Sequence, residues 1–176
     1  MKRFLRLALF VAVLGPIAQV EAASTVVNKD HPLLATEASG AVASVYFIRQ
    51  KASFRGVMGA AVSIRMAQDE LLKVAKGQYT LVRLKPWEGL VVVRSWSLVG
   101  SRNTMTKVEE QRRFSFEAGK QYWVLVQANS RSAYEGDSFV PVSIDRERAA
   151  QLAADLTAVG AAVGTPLSVL PADQGH

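Results

Sequence analysis

The chain of 176 residues contains no cysteine and only two histidines, His31 and His176. Without cysteine it has no disulfide, no thiol nucleophile and no thiolate ligand for zinc. Both histidines fall in segments that we predict to be flexible, so a Ser-His-Asp triad lacks its base. A metal site would need three or four ligands at short spacing, and neither histidine has such companions. We therefore expect no metal and no cofactor.

The common catalytic motifs are missing as well. The sequence has no G-x-S-x-G elbow, no glycine-rich phosphate loop and no H-E-x-x-H. Carboxylates stand together at Asp69-Glu70 and at Glu109-Glu110, and two carboxylates alone can hydrolyse a glycan. Adjacent acids are more often a solvated surface. We expect the protein not to be an enzyme, with a carboxylate-dependent glycan hydrolase as the alternative.

The charge balance argues against nucleic-acid binding. The net charge is +6, from 21 Lys and Arg against 15 Asp and Glu, and the basic residues are scattered. No basic run could follow a phosphate backbone.

The first 22 residues have the order of a secretory signal peptide. Lys2, Arg3 and Arg6 precede the apolar run Leu7–Leu14, and small residues end at Ala22. We predict export to the periplasm with cleavage after Ala22. The apolar run is short of the ~20 residues that span a bilayer. An uncleaved anchor is the alternative, and only then would the protein be associated with the membrane. A lipid anchor on an N-terminal cysteine is excluded.

The rest of the chain divides by composition. Residues 23–40 mix small, polar and breaker residues, which predicts a linker with His31 in a solvated loop and a short ordered piece at 32–34. Residues 41–145 are rich in strand formers. Residues 146–159 carry apolar residues at spacings of three and four, which predicts an amphipathic helix. Residues 160–176 are predicted to be a flexible tail.

Strand patterns recur through the central segment. Strands are predicted at 43–50, 59–66, 121–128 and 138–145, the last at a sheet edge because Pro141 cannot donate to a ladder. Residues 71–74 form a helix or a strand, and 107–117 alternate near their end. Gly77–Trp96 is predicted to be a β-hairpin. Its strands are apolar on both faces, so we expect the C-terminal helix to cover one face with Leu152, Leu156 and Val159.

Three residues are candidate binding residues. Arg83 and Arg94 could contribute to an anion site, and Trp87, in the predicted turn, is expected to be partly exposed. Trp96 and Trp123 are expected in the core.

Short motifs carry a resemblance. They are Val45-Tyr46-Phe47-Ile48-Arg49, Gly77-Gln78-Tyr79 and Gly119-Lys120-Gln121-Tyr122-Trp123. With a late short helix, this pattern resembles a bacterial family of exported domains of unknown function, many of them lipoproteins. The chain departs from it in its Pro86-Trp87-Glu88-Gly89 turn and in lacking the lipid-attachment cysteine. The resemblance implies a prealbumin-like architecture and brings no catalytic residues.

Together these features predict a mainly β protein, an antiparallel seven-strand-type sandwich of prealbumin or immunoglobulin type with one C-terminal α-helix. We expect a non-enzymatic module of the bacterial envelope that binds a protein or a glycan. A structural domain that associates with its own copies is a further alternative. The sequence does not identify the ligand, the oligomeric state or the biological process.

Overall fold

The computed structural model describes residues 25–35, 41–51, 61–100, 104–129 and 138–165. The predicted signal peptide at residues 1–22 and the part of the predicted tail beyond residue 165 lie outside these residues. The elements are β1 (Val26–Val27), β2 (Ala43–Arg49), β3 (Val62–Met66), β4 (Asp69–Val74), β5 (Gln78–Leu84), β6 (Trp87–Val99), β7 (Thr104–Phe116), β8 (Gln121–Asn129), β9 (Ser138–Ile144), α1 (Arg146–Ala153) and β10 (Thr157–Gly160).

The ten strands form two five-stranded sheets. Sheet A has the order β1-β4-β3-β6-β7, and sheet B the order β10-β5-β2-β8-β9. All neighbours are antiparallel except β2 with β8 and β5 with β10. Within the described residues the mainly β class, the sandwich and the C-terminal helix are thus confirmed, and there are ten strands where a seven-strand type was expected.

The main core lies between the sheets. Side chains alternate between the two faces of each strand, so every second residue points into the space between the sheets. The inward-pointing residues of both sheets form the core and are fully or almost fully buried. Its members include Val45, Phe47, Ile64, Val82, Val93 and Phe116. The edge position expected for the Pro141 strand is also confirmed, since β9 is the last strand of sheet B.

The predicted hairpin over Gly77–Trp96 is wrong. β5 pairs with β2 and β10 in sheet B, whereas β6 pairs with β3 and β7 in sheet A. Lys85 and Pro86 carry the chain from one sheet to the other. β6 instead matches β7 along its whole length, from Trp87 to Val99.

The helix is shorter than the predicted 146–159. Asp145 caps its start by accepting from the Arg148 backbone N–H at 2.7 Å, and residues 157–160 form β10 beside β5. The helix does cover an apolar face, the outer face of sheet B. Ala149 and Ala153 of the helix are buried there, and Leu152 packs against the same cluster. Leu156 also packs against this cluster but follows the helix, and Val159 lies in β10.

The predicted linker is also wrong within residues 25–35. Val26–Val27 pair with Leu72–Lys73, and Leu34 forms a bridge to Leu84, which confirms the ordered piece at 32–34. His31 is only 3% exposed. Its Nε2 lies 3.1 Å from the carbonyl of Met66, and its Nδ1 accepts the Leu33 N–H at 3.2 Å. Two backbone partners make this histidine part of the packed structure.

Candidate functional site on the outer face of sheet A

The two outer faces of the sandwich differ. α1 and the segment after it cover sheet B. Four of the five large exposed hydrophobic residues found in the described segments lie on the outer face of sheet A: Val26, Leu90, Trp96 and Met105. Concentrated apolar exposure on one face is typical of a binding surface.

The long β6–β7 ribbon places the largest of these residues. Val91, Val93, Ser95 and Ser97 are buried, so the even-numbered residues between them point outward. Trp96 is 54% exposed, which corrects the expectation that it lies in the core.

The residues around this tryptophan follow from the register. Trp96 faces Lys107, and Leu98 faces Met105. We call these four residues the Trp96 patch. A charged residue on a half-buried strand points outward, and side chains two positions apart share a face. In the sequence, Arg94 therefore indicates that Trp96 also points outward.

Ion pairs border the Trp96 patch. Arg94 Nε lies 2.5 Å from Glu109 Oε1, and Lys107 Nζ lies 3.9 Å from the same oxygen. The hydrogen bond from Arg94 holds the pKa of Glu109 below its ordinary value, with the charges of Arg94 and Lys107 adding to the effect. Further along the ribbon, Arg113 Nη1 pairs with Glu88 Oε1 at 3.0 Å.

A groove lies at the other end of this face. It encloses about 610 Å³, and its lining includes Arg65, Gln68, Trp87, Glu109 and Gln111. The Trp87 ring rests on Gly89, where any Cβ would collide with the indole, and it stacks on Phe116 with ring centroids 6.1 Å apart. Trp87 is therefore half-buried, with its ring held in one position.

The turn beside this groove is strained. Ala67 and Gln68 connect β3 to β4 with φ values of 47° and 72°, in the left-handed region that disfavours side chains. Arg65 Nη2 donates to the Gln68 carbonyl across this turn. Strain of this kind is often kept where a surface serves a function.

The predicted binding residues do not form one site. Trp87 lines the groove, although its ring packs against the main core opposite Phe116, whereas Arg94 lies on the outer face. Arg83 belongs to sheet B and lines a second cavity of about 570 Å³, between residues 27–35 and β5. Trp123, which we expected in the core, is half-buried and stacks against Tyr46 in the cluster under α1.

A further charged residue, Arg49 in β2, is buried. Arg49 is 3% exposed, donates to the Val74 carbonyl at 2.9 Å and lies 4.8 Å from the centre of the Phe139 ring. Burial lowers the pKa of Arg49 to about 10, so its guanidinium remains charged at neutral pH. Its contacts connect β2 to β4 of sheet A and to Phe139 in β9 of sheet B.

Comparisons with known proteins identify no relative. No protein-family model matches the chain, and no curated protein or solved structure matches it. Within the described ranges, no three His, Asp or Glu side chains are grouped to hold a metal ion, and no helix is long and apolar enough to cross a membrane.

Proposed function

We propose that the protein is a non-enzymatic binding module of the bacterial envelope, which docks another protein on the outer face of sheet A. The observation that carries this proposal is the difference between the two outer faces. One is covered by the chain's own helix, while the other presents Trp96 at 54% exposure.

The chemistry of the Trp96 patch favours a protein partner. Tryptophan, methionine and arginine are enriched at the centres of protein interfaces, and tryptophan is a frequent hot spot. Here Trp96, Leu98 and Met105 form an apolar centre on an extended ribbon, and Arg94, Glu109 and Lys107 border it with paired charges. An apolar centre with a charged rim suits a flat protein surface.

The alternative ligand is an envelope glycan, which the groove at Trp87 favours. An aromatic ring beside arginine, glutamine and glutamate side chains offers stacking and hydrogen bonds to a sugar. A hydrolase reading is less well supported. The lowered pKa of Glu109 keeps that carboxylate ionised and unsuited to act as a general acid.

Export to the periplasm through the signal peptide at residues 1–22, with cleavage after Ala22, is part of the same proposal, as is kinship to the exported prealbumin-like family. The placement of the three motifs supports this kinship. Val45–Arg49 lies in β2, Gly77-Gln78-Tyr79 leads into β5, and Gly119–Trp123 leads into β8. These are three adjacent strands of sheet B.

The test is capture of a partner from envelope extract by the purified protein and by two variants. Trp96→Ala removes the centre of the Trp96 patch, and Val163→Ala is the control, because Val163 is also exposed, at 65%, but follows β10 in sheet B. The captured protein is identified by mass spectrometry and purified. Its affinity is then measured by calorimetry.

We expect Trp96→Ala to weaken this affinity by about tenfold or more, as for an interface hot spot. Val163→Ala should leave the affinity unchanged. Equal affinity in both variants would refute docking at Trp96. Binding on a glycan array that is lost in Trp87→Ala but kept in Trp96→Ala would establish the glycan alternative.

A further inference from the structure

The free edge of β7 is the most distinctive surface outside the Trp96 patch. Among the described strands, β7 is the last of sheet A and pairs only with β6. None of the other strands described here pairs with its second edge. Thr104–Phe116 is among the longest strands, and long unpaired edges are unusual because they can pair with other chains.

The sequence of this edge is self-complementary. Residues 108–114 read Val-Glu-Glu-Gln-Arg-Arg-Phe. Two acids precede Gln111 and two arginines follow it, with one apolar residue at each end. Read in the opposite direction, each acid meets an arginine and each apolar residue meets the other.

We propose that two copies of this chain dimerise by antiparallel pairing of their β7 edges, with the two-fold axis at Gln111. In this register Glu110 faces Arg112 of the second copy, and Glu109 faces Arg113. Val108 faces Phe114. The two-fold doubles each pair, which gives four Glu–Arg pairs and two apolar pairs. Directly opposed pairs of this kind are the ones that stabilise a sheet.

Neighbouring registers are poorer. An axis at Glu110 or at Arg112 places like charges opposite each other, and an axis between residues leaves one Glu and one Arg of each copy without an opposite charge. Parallel pairing in register opposes like charges throughout. The charge pattern therefore selects a single register.

The ion pairs on the outer face are compatible with this pairing. On the outer face Glu109 is held by Arg94 and Arg113 by Glu88, so pairing produces the alternating row Arg94–Glu109–Arg113–Glu88 across the two copies. On the inner face Glu110 accepts from Ser138 at 3.0 Å, and the Arg112 side chain is exposed. The dimer would have one continuous ten-stranded sheet with two Trp96 patches on the same face. The proposal does not depend on what those patches bind.

The first test uses the natural absence of cysteine. In Gln111→Cys the two sulfurs would meet at the axis, because opposed Cα atoms lie about 4.5–5.5 Å apart, within the range of a disulfide. Ser115→Cys is the matched control on the same strand, where the two positions would lie about 27 Å apart. Under mild oxidation we expect a covalent dimer from Gln111→Cys and none from Ser115→Cys. Equal cross-linking of both variants would overturn the register.

The second test is charge exchange, measured by sedimentation velocity. The wild-type protein should dimerise, and more weakly at high salt. E109R/E110R and R112E/R113E should each raise the dimer dissociation constant about tenfold or more, and an equimolar mixture of the two should restore a dimer. Circular dichroism confirms that each variant is folded. If a charge variant does not fold, the cross-linking of Gln111→Cys compared with Ser115→Cys decides whether the β7 edges pair. A monomeric wild-type protein at every concentration, or a mixture that does not associate, would overturn the proposal.

Discussion

Arg94 donates through Nε to Glu109 Oε1 at 2.5 Å from the directly opposite position on the β6–β7 ribbon. The pair lies beside the Trp96 patch and belongs to the row of charges that would cross the dimer. Its protonation state therefore bears on both proposals.

Removing the guanidinium should raise the pKa of Glu109 toward its ordinary value. A carboxyl with a lowered pKa in the folded state contributes stability above the unfolded pKa, and this contribution is lost as the pH falls through the lowered value. In Arg94→Met the contribution should disappear. NMR titration of the side-chain carboxyl carbons measures the pKa directly. Lys120→Met, which breaks the ion pair with Glu117 in the turn between β7 and β8, should leave Glu109 unchanged; a shift there instead would contradict the assignment.

Replacing His31 by leucine should destabilise the fold. The neutral ring with its proton on Nε2 satisfies both the Met66 carbonyl and the Leu33 N–H, and leucine would leave both buried groups without a partner. We expect a loss of about 1–3 kcal/mol in the free energy of unfolding, measured by denaturant titration. His31→Gln, which retains a donor and an acceptor, should lose less. Equal losses would show that volume and not hydrogen bonding is decisive.

The β3–β4 turn should gain stability from residues that tolerate positive φ. Ala67→Asn and Gln68→Gly fit this turn type, and each should raise the free energy of unfolding by about 0.4–1 kcal/mol. Thermal unfolding measures the gain. Ala118→Gly is the control, because this turn residue is outside the positive-φ region and glycine there should be neutral or destabilising. A loss of stability in Gln68→Gly would indicate that the side chain stabilises the turn.

Local patterns in the sequence were sufficient for several strands. β2, β8 and β9 have dense β-branched and aromatic residues, and Pro141 marks an edge whatever its neighbours are. Such features depend on a residue and its immediate neighbours. They could be predicted because no distant part of the chain has to be known.

Pairing and burial were harder to predict because they depend on distant residues. Leu81 and Val82 are both buried, one in the cluster on the outer face of sheet B and the other in the main core. Apolar residues on both faces therefore indicate that the strand is covered on both sides, but not which strand pairs with it. His31 is buried, and one of its hydrogen-bond partners is the carbonyl of Met66, 35 residues away in the sequence. The residue type alone predicts a core position for Trp96, whereas its position relative to Arg94 indicates the outer face of the sheet. Residue type alone does not show which face of a strand another element covers.

The parallel pairing of β2 with β8 has a consequence for how the chain acquires its structure. The central strand of sheet B, at Ala43–Arg49, needs Gln121–Val126 as its neighbour. Most of the chain must therefore be synthesised before this sheet can form, and such distant contacts slow folding to milliseconds or longer, roughly in the range of other β-sandwiches. Slow folding of this kind suits the export proposed above, because a chain that is still unfolded is available for translocation.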